Sequence, residues 1–253
     1  MVDKNKLNEI YYSLPNLSDH LVIEIGPGTG NLTKKLIINA KKLIAIEIDQ
    51  DMINLLQNDK SLKNLNLIHA DVLKINLDQF ILNQKDIYLI ANLPYYIATK
   101  IIFKFLKYNN ITVFAVMLQE ELVDRIFANI KTKKYGRLTV AIGSLFSLEK
   151  RINVPRECFN PIPNVDSGFI ILHRKKIDFN YDNYLLFIKN CFATKRKTLL
   201  NSLKITKNPY FEFVKLYLIK NNLKINIRAE QLSIDIYLKI WKEIEKNAKH
   251  KHK

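Results

Sequence analysis

The chain has only two cysteines, Cys158 and Cys191, and neither stands in a CxxC or Cys/His ligand spacing. That excludes a disulfide framework and leaves free thiols in a reducing, cytoplasmic compartment as the simplest account, with no metal expected. No apolar run approaches the roughly 18 residues of a membrane span. The start, Met1-Val2-Asp3-Lys4-Asn5-Lys6, lacks the apolar stretch of a signal peptide. A soluble, cytoplasmic protein with no membrane partner is expected. Internal repeats and extended low-complexity segments are missing too. Acids are scarce: 24 Asp and Glu stand against 40 Lys and Arg, a net charge of +16. Such an imbalance favours a polyanionic partner, of which nucleic acid is the commonest. A passive account competes with it, since Lys, Asn and Ile are abundant throughout, as an AT-rich genome would produce.

What is present is enough for a sizeable core: 253 residues, 48% of them hydrophobic. Short apolar runs at residues 21–25, 43–48, 66–69, 87–91 and 112–117 read as buried strands. Helical spacing falls between them, at residues 3–14, 31–39, 51–57, 97–108 and 120–128. Strands alternating with helices predict an α/β fold with a mainly parallel sheet covered on both faces. Two later apolar stretches, residues 138–146 and 168–172, are expected to close the sheet. After His173-Arg174-Lys175-Lys176 the pattern turns wholly helical, at residues 184–192, 196–203, 211–219 and 234–244. A domain over residues 1–175 and a small helical domain over 176–253 are therefore expected, with residues 249–253 fraying.

Chemistry concentrates at the ends of the predicted strands. The first strand, which carries Glu24, runs into Gly26-Pro27-Gly28-Thr29-Gly30. A glycine loop between strand and helix lets the backbone approach a ligand closely. Its GxGxG spacing, with a proline inside, departs from the GxGxxG pyrophosphate cradle. S-adenosylmethionine, which has no phosphates, suits it better; an ordinary strand–helix turn is the competing reading. Glu47 lies 21 positions after Gly26 and can accept from both hydroxyls of a ribose. NAD enzymes use the same device, so Glu47 points to a ribose and not to one cofactor. Asp71 ends the third strand, where it could accept from an adenine amine or simply form a turn.

The fourth strand ends in Asn92-Leu93-Pro94-Tyr95. The Asn92 side-chain oxygen and the Leu93 carbonyl can accept both hydrogens of an exocyclic amine and favour its pyramidal, nucleophilic geometry. Pro94 fixes the backbone so that the Leu93 carbonyl stays in place, and Tyr95 can stack on the base. Methyl transfer to the amine would be direct displacement aided by positioning, needing neither metal nor covalent nucleophile. Taken alone, the four residues also fit a proline turn after a strand.

Taken together, Glu24-Ile25-Gly26-Pro27-Gly28-Thr29-Gly30, Glu47-Ile48-Asp49 and Asn92-Leu93-Pro94-Tyr95 resemble the ribosomal RNA adenine N6,N6-dimethyltransferases of KsgA/Dim type. So do Met117-Leu118-Gln119-Glu120-Glu121, Tyr135-Gly136-Arg137-Leu138 and the segment from Phe159 through Pro161, Pro163 and Asp166 to Ser167. In the helical part, Lys195-Arg196-Lys197-Thr198-Leu199-Leu200-Asn201-Ser202-Leu203 and Arg228-Ala229-Glu230-Gln231-Leu232-Ser233 are similar to that family's C-terminal signatures. The resemblance implies a Rossmann-like class I methyltransferase sheet with a small C-terminal all-helical domain. It implies S-adenosylmethionine as cofactor and, as activity, dimethylation of two adjacent adenosines in a hairpin loop near the 3′ end of 16S rRNA. The partner it implies is the immature 30S particle, met by a monomer. Carried onto this chain, the family's cofactor contacts fall on Met1, Glu24, Gly26, Gly28, Glu47, Ile48, Asp71, Val72 and Asn92. Its catalytic pocket falls on Asn92, Leu93, Pro94, Tyr95 and Phe159, the last a second aromatic facing a flipped base. Without the resemblance, Phe159 reads as core.

The chain departs from that family at Tyr96, where Asn is usual, and at Ala98, where Ser is usual. Relatives also carry a basic segment with Gly-Gln-Asn/His-Phe-Leu before the Asp matched by Asp3. Here Met1 falls at its Leu: either the start is truncated or misassigned, or the cofactor pocket is more open, and weak cofactor affinity is expected. For RNA, residues 174–228 hold 13 Lys and Arg against three acids, Asp178, Asp182 and Glu212. Lys195, Arg196 and Lys197 open a predicted helix, a poor place for cations unless phosphates meet them, a solvated helix end being the other reading. Lys131, Lys133, Lys134 and Arg137 form a second basic cluster, expected in a loop. A large-subunit rRNA methyltransferase of the macrolide-resistance type and a non-catalytic assembly or transcription factor remain open alternatives; an NAD oxidoreductase is disfavoured by the loop spacing.

Overall fold

In a computed structural model of the chain, the structure describes the backbone of residues 1–250 and the side chains of residues 1–248. The fraying expected over residues 249–253 falls outside the fully described residues. Seven strands form one sheet: β1 (Leu21–Ile25), β2 (Lys42–Glu47), β3 (Asn66–His69), β4 (Ile87–Asn92), β5 (Ile111–Gln119), β6 (Phe146–Val154) and β7 (Ser167–Arg174). Their spatial order is β3-β2-β1-β4-β5-β7-β6. Strands β1 to β5 pair in parallel, and β7 runs antiparallel to β5. The sheet grows outward in opposite directions from β1 and β4, and the crevice at such a reversal is where open α/β sheets take ligands.

Every residue of β1 is buried, as are five of six in β2 and β4, which is why these strands read as unbroken apolar runs. The helices are α1 (Lys4–Ser13), α2 (Thr33–Asn39), α3 (Gln50–Asn58), α4 (Asp78–Ile81), α5 (Ala98–Leu106), α6 (Glu120–Ile126), α7 (Arg137–Leu145), α8 (Tyr181–Cys191), α9 (Leu199–Ile205), α10 (Phe211–Lys220) and α11 (Ile234–His250). Asp3 caps α1 by accepting from the Lys6 amide at 2.7 Å, a contact worth about 1 kcal/mol. Asp49 caps α3 by accepting from the amides of Asp51 and Met52, so two carboxylates, Glu47 and Asp49, stand at the carboxyl end of β2.

One expected strand is a helix. Residues 138–145 lie in α7 and Phe146 opens β6; the side chains of α7 are buried on nearly every face, and a helix buried all round loses the polar stripe that reveals its period. The sheet is closed at that edge instead by β6, mostly exposed and carrying Glu149, Lys150 and Arg151, so its sequence shows no apolar run.

The described chain divides into two compact units, Met1–Val123 with Ser147–Arg174, and Asp124–Phe146 with Lys175–Lys253. The segment 124–146 thus groups with the C-terminal helices although β6 and β7 follow it in sequence. Close packing explains this. A Cβ on Gly143 in α7 would lie 2.4 Å from the Ile234 side chain of α11, so the glycine lets that side chain pack directly on the α7 backbone. Ser144 shares a 2.6 Å hydrogen bond with the Tyr184 hydroxyl of α8.

Candidate active site

The loop after β1 turns on Gly26 and Gly28, whose φ angles of +66° and +54° favour glycine. The Gly26 amide donates to the Ile46 carbonyl at 3.0 Å. A Cβ on Gly26 would touch the backbone oxygen of Asn92 at 3.8 Å, so the glycine loop and the end of β4 are immediate neighbours. From the other side Glu47 closes the loop. Its Oε2 accepts from the Gly28 amide at 3.2 Å, and its Oε1 from Ile48 and Asp49 at 2.8 and 3.0 Å. Three amides fix this buried carboxylate, whose remaining lone pairs suit ribose hydroxyls.

Glu24 is buried, and no hydrogen bond of good geometry reaches its Oε2 or the Thr33 hydroxyl. Burial pushes its carboxyl up to about 8, with the Thr33 hydroxyl opposing and the Glu47 charge adding to the rise. An unsatisfied buried acid beside a glycine loop suits a ligand bearing positive charge and polar hydrogens. Ile48 is 61% exposed next to Glu47, an apolar residue held at the rim. The ring nitrogen Nε2 of His69 lies 3.0 Å from the Ile48 carbonyl. Asp71 Oδ1 accepts from the Leu73 amide at 2.8 Å, the turn-forming role, while Oδ2 stands 3.9 Å from Lys74. Val72 is buried beside it. Lys104 of α5 steadies this loop by donating to the carbonyls of Leu73 and Ile75 at 3.1 and 2.6 Å. Met1 offers its carbonyl to the Asn31 amide group at 3.0 Å, and the Val2 amide donates to the Cys158 carbonyl at 2.8 Å. Residue 1 therefore sits against the helix end of the glycine loop and the turn before Phe159. The residues fit a nucleoside cofactor with a cationic tail: paired carboxylates, an apolar rim and close backbone.

Asn92 is exposed at the end of β4, and the buried Leu93 donates its amide to the Met117 carbonyl at 3.2 Å. The Pro94 carbonyl accepts from Ile97 at 3.1 Å, starting α5. Tyr95 shares a 2.8 Å hydrogen bond with the Ser167 hydroxyl. Asn92, Leu93, Pro94, Tyr95, Phe159, Pro161 and Pro163 line one pocket of about 300 Å³. Phe159 belongs also to the core cluster that includes Val154 and Phe169, so it both lines the pocket and packs in the core. Tyr96 is 84% exposed and absent from the pocket lining, and Ala98 is buried at the start of α5.

The seven basic residues expected to meet RNA all lie in the second unit. Lys195, Arg196 and Lys197 are exposed but do not open a helix: α9 starts at Leu199, capped by the Thr198 hydroxyl on the Asn201 amide at 3.2 Å. The cap sets the start three residues later than the spacing alone, so the cations precede the helix and do not occupy its first turn. Lys131, Lys133 and Lys134 are in the exposed loop, and Lys134 pairs with Asp124 at 2.8 Å. Arg137 is instead the first residue of α7, partly buried, with burial lowering its pKa. Lys104 and Ser167 were missed as site residues. Ser167 stands in a recognisable motif, but its partner is 72 positions away.

Comparison with known proteins agrees with this geometry. A model of the family described as ribosomal RNA adenine dimethylase matches residues 1–246. A ribosomal RNA small subunit methyltransferase A of Mycoplasma capricolum subsp. capricolum is 39% identical over 250 residues, 94% of this chain and 92% of that protein. One from Mycoplasma mobile is 38% identical over 246 residues, 96% of this chain and 94% of that protein. The solved dimethyladenosine transferase from Plasmodium falciparum has a TM-score of 0.77 at 29% identity, covering 98% of each chain. The 23S rRNA methyltransferase ErmE, at 23% identity and TM-score 0.67, covers 96% of this chain and 98% of its own, and shares the fold. With the match running through both compact units, the glycine loop and the Asn92 pocket, this chain belongs to the ribosomal RNA adenine dimethylase family.

Proposed function

We propose that this protein uses S-adenosylmethionine to convert two adjacent adenosines of 16S rRNA to N6,N6-dimethyladenosine. The target is a hairpin loop near the 3′ end, reached in the immature 30S particle by a monomer. The reading is supported by the relatives' names and by the family match. The observation that carries it is one pocket lined by Asn92, Leu93, Tyr95 and Phe159, with the Asn92 backbone next to Gly26 of the glycine loop.

When bound, S-adenosylmethionine supplies an electrophilic sulfonium methyl group. Gly26 and Gly28 let the backbone approach it, Glu47 holds the ribose hydroxyls, and Ile48 and Val72 flank the adenine. Asp71 accepts from that adenine's amine, and Glu24, with Met1 nearby, serves the cationic end. On the substrate side, Tyr95 and Phe159 hold the faces of an adenine taken out of its stack. The Asn92 oxygen and the Leu93 carbonyl accept the two N6 hydrogens, concentrating the lone pair on nitrogen. Pro94 keeps that carbonyl aimed, and the displaced N6 proton passes to water. Lys131, Lys133, Lys134, Arg137, Lys195, Arg196 and Lys197 meet phosphates, the main source of affinity for a polyanion. Residues 1–175 carry the chemistry in this reading, and 176–253 the RNA contacts, joined by the basic segment at 131–137.

The test is incubation of immature small subunits with radiolabelled S-adenosylmethionine. Asn92→Ala should lose about 100-fold or more in rate, the loss typical when a positioned group of the transition state is removed. Primer extension should stop at two adjacent adenosines near the 3′ end of 16S rRNA. Equal labelling by wild type and Asn92→Ala would end the amine-clamp reading.

A further inference from the structure

Beyond the residues that line the pocket, one fully buried polar side chain bonds into it from behind. Ser167 is the first residue of β7, opposite Gln119 of β5 in the sheet register. Its hydroxyl lies 2.8 Å from the Tyr95 hydroxyl. We infer that Ser167 is a positioning residue for the substrate base, holding the Tyr95 ring at a fixed tilt within the pocket. The inference rests on the proposed adenine chemistry, in which Tyr95 is one wall for the base.

Three consecutive residues make the support rigid. A Cβ on Gly168 would lie 2.9 Å from Glu120 Oε2 and 3.0 Å from Val123, so side chains of α6 close directly over the start of β7. Asp166 accepts from the Glu120 amide through its carbonyl at 3.0 Å, and from the Arg156 amide through Oδ1 at 2.9 Å. Arg156 opens the turn that delivers Phe159. The segment 166–168 therefore holds both aromatic walls, Tyr95 through a hydroxyl pair and Phe159 through its preceding turn. A ring anchored only through Cβ can tilt about two side-chain torsions; a hydroxyl tied to a buried strand removes that freedom. Misplacing a reacting group by about 1 Å can cost ~10²-fold in rate, so the tie acts on the chemical step, whereas RNA affinity resides in phosphate contacts elsewhere.

Ser167→Ala, Tyr95→Phe and the double variant form a cycle. In the full-length protein, kcat for labelling immature small subunits should fall about tenfold in each single variant, with KM changed less than about threefold. The double variant should be no slower than the slower single one. Cofactor affinity, measured by calorimetry without RNA, should be unchanged in all three, and the unfolding temperatures should couple as the rates do. Additive losses in kcat, a loss confined to KM, or weakened cofactor binding would each overturn the assignment, as would coupled unfolding temperatures with normal kcat. Should Ser167→Ala not fold, Tyr95→Phe removes the same bond from a partly exposed residue, and its normal kcat is then the overturning result. Failure of the Asn92→Ala test sinks the amine reading separately, because the hydroxyl coupling in unfolding temperature needs no substrate.

Discussion

The Gly28 amide donates to Oε2 of Glu47 across 3.2 Å, so the glycine loop after β1 and the acid ending β2 form one unit. Glu47 is thereby both a ligand group and a brace for the loop. Glu47→Ala leaves the amides of Gly28, Ile48 and the helix-capping Asp49 without their charged acceptor, at about 1.5–3 kcal/mol for each such bond. Cofactor affinity should fall at least about tenfold, equivalent to ~1.4 kcal/mol, with a lower unfolding temperature. Calorimetry giving an unchanged Kd would remove Glu47 from the cofactor site.

Glu24 makes stability depend on pH in an unusual direction. Unfolded, its carboxyl ionises near 4.5; folded, burial holds it protonated up to about 8. Between those values the folded chain keeps a proton that the unfolded chain has released. Glu24's contribution therefore declines as pH rises through that window and levels off above it. Glu24→Gln should flatten the decline and be the more stable protein at pH 8, by on the order of a few kcal/mol. Urea unfolding at several pH values decides this; parallel curves for the two proteins would refute it.

The two aromatic walls should respond differently to truncation. Tyr95 is partly exposed, so Tyr95→Ala should spare the fold and weaken base binding by ~1–3 kcal/mol. Phe159 is 9% exposed and packed in the core cluster, so Phe159→Ala should also lose about 3–5 kcal/mol of stability. Thermal unfolding beside rRNA labelling separates the two effects. A Phe159→Ala protein as stable as wild type would show that its ring is not structural.

Phosphate contacts predict a salt signature. Reversing charge at Lys195 and Arg196 should reduce the slope of log affinity against log salt by about 1.4–1.8 for two lost contacts, read by fluorescence anisotropy on an rRNA fragment. Lys134→Glu should matter less, because Lys134 already pairs with Asp124 at 2.8 Å. An unaltered slope in the Lys195/Arg196 variant would place the RNA surface elsewhere.

Strands β1, β2, β4 and β5 were legible because they are buried on both faces, and β1 and β4 are also cut off, by Gly26 and by Asn92-Leu93-Pro94. Leu21–Ile25 and Asn66–His69 have the bounds their apolar runs imply. Strand β6 was hidden because its side chains face solvent and read as charged loop, and α7 because burial on every face erases its period. In the site, the glycine loop, Glu47 and the residues 92–95 stood out by type and spacing. Lys104 did not, since nothing local marks a lysine whose amine caps two carbonyls 29 and 31 positions away.

Sequence by itself determined the α/β class, the family and the residue types at the strand ends, because strand burial and turn chemistry are local and leave periodic traces. Tertiary structure alone decided that Glu47 is bound by three amides, that Asp124–Phe146 groups with the late helices, and that Tyr95 meets Ser167. Apart from the Ile48 and Asp49 amides, those contacts join positions far apart in the chain, and their partners are chosen by how elements pack, which no local pattern encodes.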